Sequence, residues 1–94
     1  MSSDFLIGSD SVWSITSIAP KRGTYTVEEL QRFVEGHFTL LPEKLFGTAA
    51  SKSHDVWVNE EAALLDMPLN VLASQIVGTE LFGPVAFTLK GRVK

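Results

Sequence analysis

The clearest pattern of apolar and polar positions lies in TVEELQRFVEG, residues 26–36. Its apolar residues recur at the three- and four-residue spacing of one helical face, and mostly charged residues fill the other positions. Thr26 followed by Glu29 is a capping box, in which each side chain accepts a hydrogen bond from the other residue's backbone N–H. Gly36 can adopt the left-handed conformation that ends a helix. The pattern therefore predicts a helix that begins at Thr26 and stops at Gly36.

A second helical pattern follows the polar break at residues 59–61. Asp66 and Asn70 can each cap a helix, and Pro68 suits a first helical turn. The apolar positions of this helix share one face: Leu72, Ala73, Ile76 and Val77. We therefore predict a helix that starts between Asp66 and Asn70 and is closed by Gly78.

Four segments show the alternation, or the enrichment in β-branched and aromatic residues, that favours strands. In chain order they are SVWSITSIA, HFTLLP, HDVWVN and VAFTLKG. An apolar trio, Phe5-Leu6-Ile7, precedes them within a polar lead-in. This trio either forms an additional short strand or packs against the core, and the sequence does not decide between the two.

The order of elements is strand, helix, strand, strand, helix, strand, which is the split βαβ order of ferredoxin-like folds. We therefore predict an α+β domain with a four-stranded antiparallel sheet and two helices on one face. Residues 1–10 are interpreted as an N-terminal arm and residues 11–94 as a single domain.

Alternation along the strands assigns side chains to the two faces of the predicted sheet. The face toward the helices would carry Phe38, Leu40, Val56, Val58, Val85, Phe87 and Leu89. The opposite face would carry His37, Thr39, Trp57, Ala86 and Thr88. Because two helices cover one face only, we expect the face around Trp57 to be open and to form a homo-oligomer. Coverage by the loop at residues 43–53 or by the N-terminal arm is the alternative.

Composition narrows the class of protein. The 94 residues are 45% apolar and 20% charged, which is typical of one globular domain. A net charge of −3 does not predict binding to nucleic acid, which depends on many Lys and Arg side chains on one face. No apolar run approaches the ~20 residues of a membrane helix, and the chain has no cysteine, which fits a reducing compartment. We expect a cytoplasmic protein without membrane association.

Two motifs resemble those of a family of small domains of unknown function found in phages, plasmids and bacteria. The first is EELQ..V.G at residues 28–36, and the second is NEE.....MPLN..A at residues 59–73, where the family has LPLN. Gly83-Pro84-Val85 is similar to the closing GDV strand of that family. The resemblance covers about residues 12–90 and implies a small α+β domain of mobile elements, with no established activity to transfer.

The chain departs from the family pattern at three glycine positions. Glu35, Ala62 and Asp66 stand where the family has glycine. Since glycine is the residue that most readily adopts unusual backbone angles, we expect the turn between Asn59 and Asp66 to differ slightly in backbone shape. Any ligand contact that the family makes through that backbone is then uncertain in this chain.

Six residues are the candidate binding residues: Trp57, Asn59, Glu60, Glu61, Asn70 and His37. Glu60 and Glu61 could bind a cation or a basic partner, or could lie in a solvated turn. The amide of Asn70 could contact a ligand, or could cap the second helix. The ring of Trp57 offers a stacking surface for a planar ligand.

Nothing in the chain has the spacing of a catalytic or metal-binding motif. His37 and His54 are the two histidines, and a zinc site needs three or four ligands. The glycines are scattered, so no phosphate-binding loop is predicted, and no Ser–His–Asp order stands out. We predict no catalytic residue, metal or cofactor, and a non-catalytic accessory protein that binds a host protein or sequesters a small molecule. The alternative is a structural protein that only self-assembles.

Overall fold

The computed structural model describes residues 4–9, 15–42 and 53–93, which form a five-stranded antiparallel sheet and two helices. The strands are β1 (Phe5–Ile7), β2 (Ile15–Ser17), β3 (Phe38–Leu40), β4 (His54–Asn59) and β5 (Val85–Leu89). The helices are α1 (Val27–Val34) and α2 (Val71–Val77). The α+β class is confirmed, and so is the order of elements from β2 onward. Residues 11–14 of the predicted first strand and residues 43–52 of the predicted loop lie outside the described residues.

The sheet has the order β2-β1-β5-β4-β3. The prediction of four strands was wrong, because the apolar trio forms β1 in the interior of the sheet. Phe5 pairs with Ser17 on one side and with Phe87 on the other. All four strand pairs are antiparallel and β2 lies at the edge, so the sheet does not have a ferredoxin-like order. Residues 5–7 are part of the sheet.

The two helices lie on opposite faces of the sheet, and not on one face as predicted. Ala73 and Val77 of α2 belong to a buried cluster with four strand side chains: Ile7, Val56, Val85 and Phe87. Asn59 has the opposite orientation from Val56 and Val58 because side chains alternate along a strand. Its amide nitrogen donates to the carbonyl oxygen of Val34, the last residue of α1. Helix α1 therefore covers the other face.

The expectation of an uncovered sheet face was therefore wrong. Ala86 and Thr88 on that face are fully buried, and so are Leu30 and Val34 of α1. Trp57 is only partly buried, but it lies beside a covered strand. An oligomer through an open Trp57 face consequently has no support from the packing.

The register of β3 also differs from the prediction. Phe38 pairs with Asn59, and Leu40 pairs with Trp57. Phe38 and Leu40 therefore share the α1 face with Trp57, whereas Thr39 lies beside Val58 on the α2 face. A shift of one residue moves every side chain of a strand to the other face, which accounts for the difference.

Both predicted helix starts are confirmed. The Glu29 backbone N–H donates to the Thr26 hydroxyl at 3.2 Å, and the Thr26 N–H donates to the Glu29 carboxylate at 2.9 Å. Asn70 caps α2, and Gly78 closes it in a left-handed conformation. At the end of α1 the left-handed cap residue is Glu35, one position before the predicted Gly36. No helix in the described part of the chain is long and apolar enough to cross a membrane.

Candidate functional site

Residues 59–70 cross one end of the sheet. They contact α1 on one face and lead into α2 on the other face. The segment begins at the end of β4 and reaches the first turn of α2. Its internal hydrogen bonds are local, such as that from the Met67 N–H to the carbonyl oxygen of Ala62 at 3.0 Å. We call this segment the strap.

Asn59 holds the first end of the strap against α1. Its side chain is buried, and Nδ2 donates to the carbonyl oxygens of Val34 at 3.0 Å and Glu35 at 3.4 Å. Its Oδ1 accepts a hydrogen bond from the Glu61 N–H at 2.8 Å. The last carbonyl groups of a helix have no partner within the helix, so this side chain satisfies them. The amide of Asn59 is thus used within the fold.

Asn70 holds the second end. It is 1% exposed, and its Oδ1 accepts from the Ala73 N–H at 3.1 Å, which confirms the interpretation as a helix cap. Its Nδ2 donates at 2.9 Å to each of two carbonyl oxygens, those of Ile7 and Gly83. Both amide hydrogens are therefore occupied. Asn70 joins α2, the end of β1 and the segment before β5.

The other candidate residues have separate positions. His37, Glu60 and Glu61 are exposed at the end of the β3–β4 pair, where the Glu60 N–H donates to the His37 carbonyl oxygen at 3.0 Å. Trp57 donates from Nε1 to the Thr88 hydroxyl at 3.0 Å, and its ring meets that of Phe38 edge-on. The structure thus brings Asn59, Glu60 and His37 together at this end of the sheet. The carboxylates of Glu60 and Glu61 are exposed to solvent there.

Sequence analysis missed a buried polar cluster around Asp4. The Asp4 carboxylate accepts from the Tyr25 hydroxyl at 2.7 Å and from the Leu89 N–H at 2.8 Å, and Nη1 of Arg92 lies at 3.6 Å. Burial, and then the hydrogen bond to Asp4, raise the pKa of Tyr25 well above its usual range. The cluster links β1, β5 and the segment before α1, so its role is to hold the fold.

The described residues do not assemble a metal site. They contain no group of three His, Cys, Asp or Glu side chains that could hold an ion. The pKa of the Glu29 carboxyl is lowered, first because its carboxylate accepts a hydrogen bond from the Thr26 backbone N–H. This shift belongs to the helix cap and not to a reactive site.

The strap and the segment after α2 expose large apolar side chains. These are Leu64, Leu65, Leu69, Val71 and Phe82, and we call them the 64–82 apolar surface. Leu64 is 85% exposed on the turn. Leu69 and Phe82 are bridge partners, and Leu69 and Val71 line a shallow groove of about 450 Å³ that runs along α2. Leu69, Val71 and Phe82 therefore form one patch, with Leu64 and Leu65 on the turn before it.

The segments that carry this surface have charge of one sign. Residues 53–89 contain no Lys or Arg and five carboxylates: Asp55, Glu60, Glu61, Asp66 and Glu80. All except Asp55 are exposed. The sequence carried this signal in the distribution of its eight Lys and Arg, all of which lie at residues 21–52 and 90–94. The overall net charge concealed this asymmetry.

A second concave site lies beside α1. It has a volume of about 320 Å³ and lies between β1, α1 and the two prolines Pro68 and Pro84. Leu6 and Phe33 supply apolar walls, and Arg32 supplies a cation that forms no ion pair within the described residues. Glu35 also lines the site. We call this site the Arg32 cleft. Sequence reasoning placed Arg32 only on the solvated side of α1.

Comparison of the chain with models of protein families, with curated proteins and with solved structures found no match.

Proposed function

We propose that this chain is a non-catalytic binding protein that engages a partner protein through the 64–82 apolar surface. The carrying observation is the concentration of exposed apolar side chains. Of the eight large apolar residues that are exposed in the described part of the chain, five belong to this surface. Single exposed apolar residues are ordinary, whereas a group of them marks a contact surface.

The strap supports this proposal because it holds the surface in a fixed shape. Asn59 and Asn70 are buried and fix its two ends through hydrogen bonds to both helices. Ser74 fixes the segment after α2, since its hydroxyl accepts from the Leu81 N–H at 2.8 Å. A surface that is ordered before binding loses less conformational entropy when a partner docks.

The resemblance to domains of phages and plasmids extends the proposal to an accessory role, in which the partner is a host protein. An accessory protein that binds a host protein would act in the cytoplasm, and a cysteine-free composition fits that compartment. The expected alternative, a purely self-assembling protein, makes a different prediction, because its complexes would contain only copies of this chain.

The Arg32 cleft favours a second candidate function, the sequestration of a small molecule. Its volume of about 320 Å³ is at the lower end of the range for ligand pockets. Apolar walls from Leu6 and Phe33 with a guanidinium from Arg32 suit a small molecule that carries a carboxylate or phosphate group. Arg32→Gln should release such a molecule and leave partner binding intact.

The test of the leading proposal is affinity capture with matched variants. Leu69→Ser with Phe82→Ser removes two side chains of the 64–82 apolar surface. Ile15→Ser with Val27→Ser removes two apolar side chains that are comparably exposed elsewhere, at 55% and 52%. We expect the wild type and the Ile15/Val27 variant to retain the same partner, and the Leu69/Phe82 variant to lose it. Equal capture by all three proteins would refute the proposal.

A further inference from the structure

We propose that the occupant of the 64–82 apolar surface is a basic amphipathic helix of the partner protein. This inference rests on the proposed function and names the chemistry of the partner. It is carried by the apolar groove along α2 together with Glu80 in that groove and the exposed carboxylates of the strap.

The groove has the form of a site for a helix. Its α2 wall consists of residues 71, 74, 75 and 78, which recur at the spacing of one helical face. Leu69 and Val71 supply exposed apolar side chains to it. An amphipathic helix binds such a groove by placing its apolar face against those side chains.

An added strand does not fit the same surface. Strand addition needs an edge with unpaired backbone groups. Here the backbone pairing is one isolated bridge between Leu69 and Phe82, and not a strand that offers an edge. The Asn70 N–H donates to the Leu81 carbonyl oxygen at 2.8 Å, and the Gly83 N–H donates to the Pro68 carbonyl oxygen at 2.9 Å.

The exposed carboxylates of the groove and the strap favour a basic partner. Glu80 lies in the groove itself, and Glu60, Glu61 and Asp66 are exposed on the strap. No Lys or Arg of residues 53–89 opposes them. A helix with Lys or Arg along its polar face would pair with these carboxylates, whereas an acidic helix or a nucleic acid would be repelled.

The experiment uses two synthetic peptides of about five helical turns. Both carry Leu and Trp on one face, and the other face carries Lys in the first peptide and Glu in the second. Fluorescence anisotropy with the full chain gives each Kd between about 0.05 and 0.5 M salt. We expect the Lys peptide to bind at least about tenfold more tightly at low salt, with the difference narrowing as salt rises.

Three protein variants and one control assign the site. Leu69→Ser with Phe82→Ser should weaken binding of the Lys peptide by about tenfold or more. Because Phe82 is only 37% exposed, Leu69→Ser with Val71→Ser serves as a second apolar variant, and circular dichroism checks that both fold.

Glu60→Gln, Glu61→Gln and Glu80→Gln together should remove most of the preference for Lys. The control, Glu28→Gln with Glu35→Gln, alters two exposed carboxylates of the α1 region and should leave it unchanged.

The inference is overturned if the two peptides bind equally, or if the three Gln substitutions leave the preference unchanged. Its failure is separable from that of the proposed function. A captured partner that is lost from the Leu69/Phe82 variant, with no preference between peptides, would keep the binding function and reject the basic helix. Equal capture of the partner by the wild type and by the Leu69/Phe82 variant would reject both the proposed function and the basic helix.

Discussion

The hydroxyl of Tyr25 donates a 2.7 Å hydrogen bond to the carboxylate of Asp4, 21 residues earlier in the chain. Both residues are 1% exposed. Asp4 also accepts from the Leu89 N–H, so it joins β5 to the segment that leads into α1. A residue that precedes a three-residue strand thus ties that strand to β5 and to the segment before α1.

Removal of this hydrogen bond should destabilise the protein. Tyr25→Phe keeps the ring and leaves one buried acceptor position empty, which should lower the free energy of unfolding by about 1–2 kcal/mol. Asp4→Ala should cost more, because the Tyr25 hydroxyl and the Leu89 N–H both lose their acceptor. Urea denaturation measures both values, and the exposed Glu28→Gln is the control. A change below the error of the method for Asp4→Ala would contradict this role.

Tyr25 should also make stability depend on alkaline pH. Its pKa is raised in the folded state, whereas an unfolded tyrosine titrates near 10. The stabilisation is therefore complete below about pH 10 and decreases as the pH rises above it, because the unfolded state then releases the proton first. Tyr25→Phe should abolish this pH dependence.

The chain has a single tyrosine, so the absorbance of tyrosinate reports Tyr25 alone. We expect the folded protein to show no tyrosinate at a pH where the urea-unfolded protein is half titrated. A native titration that coincides with the unfolded one would show that the Tyr25 hydroxyl is not held in this way.

Substitution of Asn70 should separate its two roles. Serine is as good a helix cap as asparagine, but it cannot reach the two carbonyl oxygens of Ile7 and Gly83. If Asn70 only capped α2, Asn70→Ser would be nearly neutral. We expect a loss of about 2–4 kcal/mol in the free energy of unfolding, because two buried acceptors lose their donor. Thr26→Ser, which keeps the other cap, is the matched control.

Glycine should be favourable at the two left-handed positions that are not glycine within the described residues. Glu35 has a φ of 63° and Asp66 a φ of 56°. This conformation costs a residue with a Cβ roughly 1 kcal/mol or more, and aspartate tolerates it better than glutamate. Glu35→Gly should therefore raise the free energy of unfolding by about 0.5–1 kcal/mol, and Asp66→Gly by less.

Glu28→Gly, within α1, is the opposite control and should destabilise by about 1 kcal/mol. Denaturant midpoints of the three variants test the prediction, and a loss of stability in Glu35→Gly would contradict it.

The helices could be predicted because their signals are local. The Thr26–Glu29 capping box lies within four residues, and the Asn70 cap and Gly78 bracket a single apolar stripe. The faces of the sheet could not be predicted in the same way. Ala86 and Thr88 have the small or polar character of an exposed face, yet α1 packs over them, and the alternation alone carries no sign of that helix.

The candidate site was predictable only in part. The polar character of Asn59 and Asn70 drew attention to the strap, but their contacts join segments 25 and 63 residues apart, which no local pattern specifies. The exposure of the strap leucines could not be predicted, because only packing decides which apolar residues stay exposed. The distribution of Lys and Arg was visible in the sequence and was the missed signal.

Native mass spectrometry tests the central claim most directly. The protein would be purified gently from the cells that naturally make it, as the wild type and as the Leu69→Ser, Phe82→Ser variant. The account predicts a wild-type complex whose mass is that of this chain plus a different protein, and a variant that is free of it. A bare chain, whole multiples of the chain mass, or a chain carrying only a small molecule would each contradict the claim that the protein acts by binding a partner protein through the 64–82 apolar surface.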